Sequence, residues 1–351
     1  MQQAEIHIAS QNDTGLNWHQ HHFLRSSPVP RNWKRFLGTS IHPTRHNGFK
    51  HPRPIPPGPT TPDVCARQLF KDSSIRAYQD CFAAVIDNLF SEAECKELLR
   101  RAEQSTSAAP SAHPTPTWER AMVNAGAGKQ VMSVDTRKSG RIIFDSPDLA
   151  QRLLDRMMPF MREWNLDAVR DRPLVTGLGP ARRGETFRLA RLNERLRFLR
   201  YEGGDYFRPH WDGCYVTPDG KERSLFTIHL YLNGEGEQDM EELTDAMRRL
   251  EKENGLATDE KGEVGLMKTG EEVSPQQLDS SKELEKLLGG ATSFTDNYQG
   301  TGAVRVFPRT GSVLIFQQRG LLHSGDDVFR GVKYTVRSDV MYTLAPGDQR
   351  E

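Results

Sequence analysis

The stretch LRFLRYEGGDYFRPHWDG, residues 196–213, joins a strand-like pattern to a group of polar side chains. It is followed by four further segments of similar character: SLFTIHLYLN (224–233), GAVRVFP (302–308), GSVLIFQ (311–317) and KYTVRSDVMYTL (333–344). Branched and aromatic residues that alternate in part and are separated by Gly, Pro, Asn and Asp are typical of short β-strands. The sequence therefore predicts a mainly β core.

Two helices are predicted before this β region. The apolar run FAAVIDNLF (82–90) predicts a strand, and Ser91 with Glu94 forms a capping-box pattern that opens a helix over 92–104. A second helix is predicted from Pro147, which follows Ser146. We expect both helices to support the β core.

Composition excludes several classes of protein. The 351 residues include 47 basic and 47 acidic ones, so a broad nucleic-acid surface is not expected. No apolar run is long enough for a membrane span, and the polar start lacks a signal-peptide pattern, so we expect a soluble, cytoplasmic protein. The four cysteines are scattered, which favours neither a disulfide scaffold nor a thiolate zinc site.

Two regions differ from the rest of the chain. Residues 1–62 hold nine of the 21 prolines and seven of the 11 histidines, and they predict a mobile or wrapping extension before a domain over 63–351. Residues 234–288 carry sixteen acidic and seven basic residues and interrupt the β pattern. We interpret them as an acidic insertion with helices around 240–250 and from about 275 to 288, acting either as a lid or as an oligomer contact.

Three residues of the β region form a candidate metal site. His210 and Asp212 are two residues apart in RPHWDG, and His323 follows the strand-like GSVLIFQ in LLHSGDD. Two imidazoles and one carboxylate are the ligand set that holds Fe(II) on one face and leaves positions open for other ligands. An HxD pattern alone is weak evidence for a metal site, so the prediction depends on the sequence around it.

Two cations follow His323 on a predicted strand. Lys333 and Arg337 are four residues apart, so both project to the same face. There they could pair with the remote carboxylate of a chelating dicarboxylic acid. The alternative is a pair of cations on a solvated strand face.

The ordered segments FLRYEGGDYFRPHWDG, SLFTIHLYLN, GGATSF, VFPRTGSVLIFQQRGLLHSG and GVKYTVRSDVMY resemble the prolyl 4-hydroxylase-like branch of the Fe(II)/2-oxoglutarate-dependent dioxygenases. The resemblance spans roughly residues 80–345. It implies a double-stranded β-helix, or jelly roll, with supporting helices, and an oxidoreductase that uses Fe(II), 2-oxoglutarate and O2, with ascorbate as an optional addition.

The resemblance also implies roles for individual residues. His210, Asp212 and His323 match the iron ligands. Lys333 matches the basic residue that binds the 2-oxoglutarate C5 carboxylate, and Arg337 lies near a position that other branches use, so both are kept. The remaining candidates are Tyr231 and Tyr201 for the 2-oxoglutarate pocket, and Trp211, Arg223 and Tyr215 for the substrate pocket.

The expected reaction is oxidation of a C–H bond, by hydroxylation, desaturation or cyclisation, with 2-oxoglutarate converted to succinate and CO2. The expected substrate is an amino acid, a peptide or an amino-acid-derived metabolite of specialised metabolism. Alternatives are a peptidyl-prolyl hydroxylase acting on a protein, a non-catalytic jelly-roll binding protein and a cupin-like metalloenzyme that does not use 2-oxoglutarate. No nucleic-acid or membrane partner is expected, and the oligomeric state is left open, with a homodimer as one option.

Overall fold

The computed structural model describes residues 64–106, 116–124, 129–253, 285–297 and 302–348. The extension predicted over residues 1–62 lies outside this part of the chain. The domain boundary at residue 63 therefore stays a prediction.

Short strands dominate the described part of the chain. In order they are β1 (Cys65–Gln68), β2 (Ala83–Asp87), β3 (Glu119–Arg120), β4 (Val123–Asn124), β5 (Gln130–Val131), β6 (Arg137–Lys138), β7 (Gly140–Asp145), β8 (Ala168–Val169), β9 (Phe187–Leu192), β10 (Arg195–Tyr201), β11 (Tyr206–His210), β12 (Glu222–Tyr231), β13 (Leu288–Gly289), β14 (Thr292–Thr295), β15 (Ala303–Val306), β16 (Val313–Gln317), β17 (His323–Gly325), β18 (Val328–Arg330) and β19 (Lys333–Leu344). The α-helices are α1 (Glu92–Ser105), α2 (Pro147–Glu163), α3 (Pro173–Thr176), α4 (Leu178–Arg182) and α5 (Met240–Glu253).

Most of these strands belong to two antiparallel sheets. The larger has the order β1-β2-β16-β12-β19-β10-β7-β3, and the smaller has the order β15-β14-β17-β11-β6. From β10 onward the chain passes repeatedly between them: β10, β12, β16 and β19 lie in the larger sheet, and β11, β14 and β17 lie in the smaller one. This alternation is that of a double-stranded β-helix, so the predicted jelly-roll core is confirmed.

Both supporting helices begin where the sequence predicts. The Ser91 side chain accepts a hydrogen bond from the Glu94 backbone, and the Glu94 side chain accepts one from the Ser91 backbone. Pro147 occupies the first turn of α2, where a missing N–H costs nothing, and Ser146 caps it. The apolar faces of α1 and α2 join one face of the larger sheet in the main hydrophobic core.

The opposite face of the larger sheet looks toward the smaller sheet. Because successive side chains of a strand point to opposite faces, the central strands divide their residues between the two. Phe198, Ile228 and Val336 belong to the helix-side core. Tyr231, by contrast, packs in a second core with Phe294 of β14 in the smaller sheet. The polar residues of β10, β12 and β19 that share this second face form the site described below.

The acidic segment contains α5, whose Leu243 is buried and whose Glu242 pairs with Arg330 of β18. This helix agrees with the first one predicted there. The second predicted helix lies mostly outside the described residues, but its expected end is wrong, because Leu288 pairs with Arg330 in a β-ladder. The lid and oligomer roles of the segment stay predictions.

None of the helices in the described ranges is both long enough and apolar enough to cross a membrane.

Candidate metal centre and ligand pocket

The smaller sheet brings the predicted metal ligands together. His210 ends β11, His323 begins β17, and the two are register partners. Asp212 lies two residues beyond His210. One carboxylate oxygen, Oδ1, is 3.9 Å from Nε2 of His210, and Oδ2 is 3.9 Å from Nε2 of His323. One ligand atom from each of the three residues lies within 4.8 Å of the other two.

Local backbone contacts orient both imidazoles. Nδ1 of His210 is 2.9 Å from the carbonyl oxygen of Arg208, and Nδ1 of His323 is 3.1 Å from that of Leu321. Because a carbonyl can only accept, each Nδ1 carries the proton and each Nε2 keeps a free lone pair. Burial lowers the pKa of both residues, and that of His210 falls to about 3. Neutral imidazoles with a free Nε2 are the form that binds a divalent metal.

Asp212 is held in its ionised form by neighbouring donors. Burial opposes its ionisation, but Arg337 above all outweighs burial and keeps its pKa well below the usual value. Nη2 of Arg337 lies 3.0 Å from Oδ1, and the Thr227 hydroxyl donates to Oδ2 at 2.7 Å. The carboxylate is therefore charged and fixed in orientation.

A buried carboxylate next to the triad supports these contacts. Asp339 lies 3.2 Å from Nη2 of Arg337 and accepts hydrogen bonds from Gln318 and Arg197 at 3.0 and 3.1 Å. The Gln318 amide also donates to the Thr227 hydroxyl at 3.2 Å. The hydrogen-bonded chain links three strands of the larger sheet to the metal ligand Asp212.

Lys333 occupies a different environment on the same strand as Arg337. Its side chain is buried, and its Nζ lies 5.1 Å from the ring centre of Tyr201 and 5.8 Å from that of Tyr231. The ammonium makes no hydrogen bond or ion pair with the described residues. Burial lowers the pKa of Lys333 to about 8. A buried cation without an ion pair is stabilised when an anionic partner binds to it.

The two predicted pocket tyrosines flank this lysine. Tyr201 is the register partner of Lys333 across β10 and β19. Tyr231 is fully buried and donates its hydroxyl proton to Thr292 at 2.8 Å, so its ring position is fixed. Burial raises the pKa of Tyr231, which therefore stays a neutral donor. The structure places Tyr201, Tyr231 and Lys333 in one buried group.

The predicted substrate residues lie on the loop between β11 and β12 or at the start of β12. Trp211 and Tyr215 are largely exposed on the loop after β11, at 46% and 43%. The guanidinium of Arg223 lies 5.3 Å from the ring centre of Phe187, a residue of the helix-side core. Arg223 forms no hydrogen bond or ion pair with the three metal ligands, but it lies close enough to Cys214, on the loop after β11, to act on its thiol. Its role in a substrate pocket stays a prediction.

Several polar residues of the site did not stand out in the sequence. They are Thr227, His229, Gln318, Asp339 and Arg197. A strand period of two, counted back from Tyr231 and forward from Arg337, would have placed Thr227, His229 and Asp339 on the ligand face. The same period, counted back from Tyr201, would have placed Arg197 on that face. Gln318 carried no signal, because its role depends on which strands are neighbours.

The residues present fit Fe(II) and a dicarboxylate. Two neutral imidazoles and one carboxylate are the facial ligand set of non-haem iron oxygenases. Each of these ligands is fixed by a further hydrogen bond, as is usual for metal-binding side chains. Lys333 supplies an unpaired buried cation for a carboxylate at the other end of the pocket.

Comparisons with known proteins give a fold likeness only. No protein-family model matches the chain, and no curated protein sequence matches it. The viral collagen prolyl hydroxylase of Paramecium bursaria Chlorella virus-1 is a similar solved structure, with 16% identity, a TM-score of 0.35, and coverage of 74% of this chain and 96% of that one. A Pseudomonas putida prolyl-4-hydroxylase has 13% identity, a TM-score of 0.36 and coverage of 74% and 91%.

A third similar structure is a Trichoplax adhaerens prolyl hydroxylase in complex with a peptide fragment of hypoxia inducible factor. It has 11% identity, a TM-score of 0.35 and coverage of 81% of this chain and 84% of that one. All three similar structures are described as prolyl hydroxylases.

Proposed function

We propose that this protein is an Fe(II)- and 2-oxoglutarate-dependent oxygenase that oxidises a C–H bond of an amino acid, a peptide or an amino-acid-derived metabolite. Two observations carry the proposal: His210, Asp212 and His323 converge, and Lys333, on the same strand as the Arg337 that contacts Asp212, is a buried cation with no ion pair among the described residues. A facial triad alone also fits metalloenzymes that use no cosubstrate. Lys333 favours the 2-oxoglutarate-dependent class, because it offers a buried cation for the remote carboxylate of this cosubstrate.

Each side chain has a distinct task in this proposal. Nε2 of His210, Nε2 of His323 and the Asp212 carboxylate hold the metal. Lys333 binds the remote carboxylate of 2-oxoglutarate. Arg337 positions Asp212 and offsets its charge before metal binding.

The chemistry that bound Fe(II) and 2-oxoglutarate supply is O2 activation, with conversion of 2-oxoglutarate to succinate and CO2. The polypeptide contributes position and exclusion of water. The aromatic rings of Tyr201 and Tyr231 lie next to Lys333. Because they lower the local dielectric constant, an ion pair formed by Lys333 is stronger there than in water.

The test compares two aspartates of the same loop between β11 and β12. Asp212→Asn removes a charged ligand, whereas Asp219→Asn changes an exposed residue that bonds to Thr217 within the loop. Calorimetric titration with Mn(II) and then 2-oxoglutarate should detect tight binding in the wild type and in Asp219→Asn, and at least 100-fold weaker metal binding in Asp212→Asn.

Catalysis is tested by succinate release from Fe(II)-loaded protein given amino acids, peptides and metabolite extracts. Release that depends on a substrate and disappears in His210→Ala supports the proposal. Equal metal binding by the wild type and Asp212→Asn would refute the metal assignment. Tight metal binding without 2-oxoglutarate binding would favour the cupin-like alternative. Binding of both ligands, with no succinate from any substrate, would favour a non-catalytic binding protein.

A further inference from the structure

Arg141 is a buried guanidinium without an anionic partner. It lies on β7, is only 5% exposed, and its Nε has no hydrogen-bond partner. Its one hydrogen bond runs from Nη2 to the side-chain oxygen of Gln130 at 3.5 Å. Glu119 is its register partner on β3, but it is exposed and forms no ion pair with Arg141. Desolvating a cation in this way is costly unless something balances its charge.

Two further arginines lie beside Arg141, and together they form what we call the arginine cluster: Arg137, Arg141 and Arg197. Arg141 pairs in register with Leu199, two residues from Arg197 on the same face of the larger sheet. Burial, followed by the nearby charge of Arg137, lowers the pKa of Arg141. The three guanidinium groups thus converge on one region.

The arginine cluster borders the metal triad. The Arg137 guanidinium lies 4.5 Å from the ring centre of Phe207, and that ring stacks on His210 with 3.6 Å between ring centres. Arg197 is the register partner of Arg337, whose Nη2 contacts Asp212. A molecule held by the cluster would therefore lie next to the metal ligands.

The local charges do not balance. Within the described ranges, Arg137 and Arg141 form no ion pair, and Arg197 shares Asp339 with Arg337. Glu119, the exposed register partner of Arg141, offsets only part of this positive charge. An anionic ligand would balance the remainder.

We propose that the substrate carries a free carboxylate that Arg141 binds, with Arg137 and Arg197 beside it. The planar guanidinium fork matches a carboxylate in a two-bond arrangement. Adjacent strands lie about 4.8 Å apart, so β7, which carries Arg141, and β19, which carries Arg337, are separated by roughly 10 Å across β10. A molecule of amino-acid size can span this distance. This inference rests on the proposed function and narrows its substrate to a free acid rather than an internal residue of a protein.

The carboxylate in question is distinct from those of 2-oxoglutarate. Lys333, the proposed anchor for that cosubstrate, lies on β19 beside Tyr201, with β10 between it and the strand of Arg141. Titrations with 2-oxoglutarate and with substrate should therefore respond to different variants.

The test is calorimetric binding to protein loaded with Mn(II) and 2-oxoglutarate. The probes are the proteinogenic amino acids, each compared with its own carboxamide, and a prolyl peptide blocked at both ends. We expect at least one free acid to bind at least about tenfold more tightly than its amide. Arg141→Met and Arg137→Gln should each weaken binding of that acid about tenfold or more and leave the amide and 2-oxoglutarate unaffected.

Arg195→Gln is the matched control, because Arg195 lies on the same strand as Arg197 but pairs with Asp145 at the surface. It should bind the acid as the wild type does. If Arg141→Met does not fold, Arg137→Gln carries the same test, since Arg137 is only partly buried.

The inference is wrong if no free acid in the panel binds, if acid and amide bind equally, or if the blocked peptide binds as tightly as the best acid. It is also wrong if both arginine variants keep wild-type affinity for the acid. Any of these results together with normal Mn(II) and 2-oxoglutarate binding leaves the proposed function standing. Loss of Mn(II) or 2-oxoglutarate binding in the wild type would instead refute the proposed function.

Discussion

Lys333 and Arg337 share a strand, a face and a charge, yet their surroundings differ. Arg337 contacts two carboxylates, those of Asp212 and Asp339, at 3.0 and 3.2 Å. Lys333 lies over two tyrosine rings and forms no ion pair in the described part of the chain, and only the charge of Asp326 favours its protonated form. Nearby carboxylates, Asp212 first, outweigh burial and raise the pKa of Arg337, whereas burial lowers that of Lys333.

The difference separates two uses of a buried cation. A paired cation is part of the folded structure, because removing it leaves its carboxylates uncompensated. An unpaired one is desolvated in advance, so an incoming anion gains a strong interaction at little further desolvation cost. On this basis Lys333 is the proposed anchor for 2-oxoglutarate, and Arg337 is a positioning residue for the metal ligand.

The largest expected effect comes from removing the paired cation. Arg337→Met should lower the free energy of unfolding by about 3 kcal/mol in metal-free protein, since Asp212 and Asp339 lose their counter-charge. Mn(II) should recover part of the loss, because the metal then neutralises Asp212. Urea denaturation with and without Mn(II) measures both values. An identical loss in the two conditions would show that Arg337 does not balance Asp212.

The second expected effect concerns the unpaired cation. Lys333→Met should leave the free energy of unfolding unchanged or raise it, because a buried charge without a partner is removed. Affinity for 2-oxoglutarate should fall about 100-fold, the loss expected when one partner of a buried charge pair is truncated. Calorimetry on Mn(II)-loaded protein measures this, with Lys221→Met as an exposed control. If the variant kept wild-type affinity for 2-oxoglutarate, Lys333 would not be the anchor of its remote carboxylate.

The third prediction is a pH dependence specific to Lys333. Its folded pKa of about 8 lies below the unfolded value. At pH values between these two pKa values, the unfolded chain therefore binds more protons than the folded chain. The contribution of Lys333 to the free energy of unfolding accordingly rises with pH above 8. Affinity for 2-oxoglutarate should move the other way and fall up to about tenfold per pH unit above 8, as the ammonium loses its proton.

Denaturation and 2-oxoglutarate titrations between pH 7 and 10, compared with Lys333→Met, isolate these contributions. Both trends should be absent from the variant. If the wild type and the variant show the same two trends, another group is responsible.

The smallest expected effect comes from the hydrogen bond that Thr227 donates to Asp212. Thr227→Val keeps the shape of the side chain but removes this bond and the one from Gln318. We expect about tenfold weaker Mn(II) binding, as for other residues that orient a metal ligand. Thr217→Val, on the exposed loop, is the control. A loss as large as that of Asp212→Asn would mean that Thr227 does more than orient the carboxylate.

The strands and supporting helices could be predicted because their signals are local. Ser91 with Glu94, and Ser146 with Pro147, mark helix starts within a few residues. The order of motifs around His210 and His323 then indicated the jelly roll. Its sheet order could not be derived from periodicity, since periodicity does not say which strands are neighbours.

The site was predicted unevenly for the same reason. The triad and Lys333 lie in recognisable motifs, so the sequence alone could nominate them as candidates. The arginine cluster could not be nominated, because Arg197 meets Arg137 and Arg141 only through the pairing of β10 with β7. Arg223 was selected because it lies near the metal loop in sequence; its guanidinium lies over the Phe187 ring, and its role in a substrate pocket stays a prediction.

The register of β19 has a consequence for folding fidelity. Its residues alternate between the helix-side core, where Val336 and Val340 are fully buried, and the ligand face with Lys333 and Arg337. A slip of one residue would turn both cations into the apolar core and the valines into the pocket. Misregistered chains are therefore strongly disfavoured. Burial of the two valines thus fixes the register that places Lys333 and Arg337 on the ligand face, although the valines do not line the site themselves.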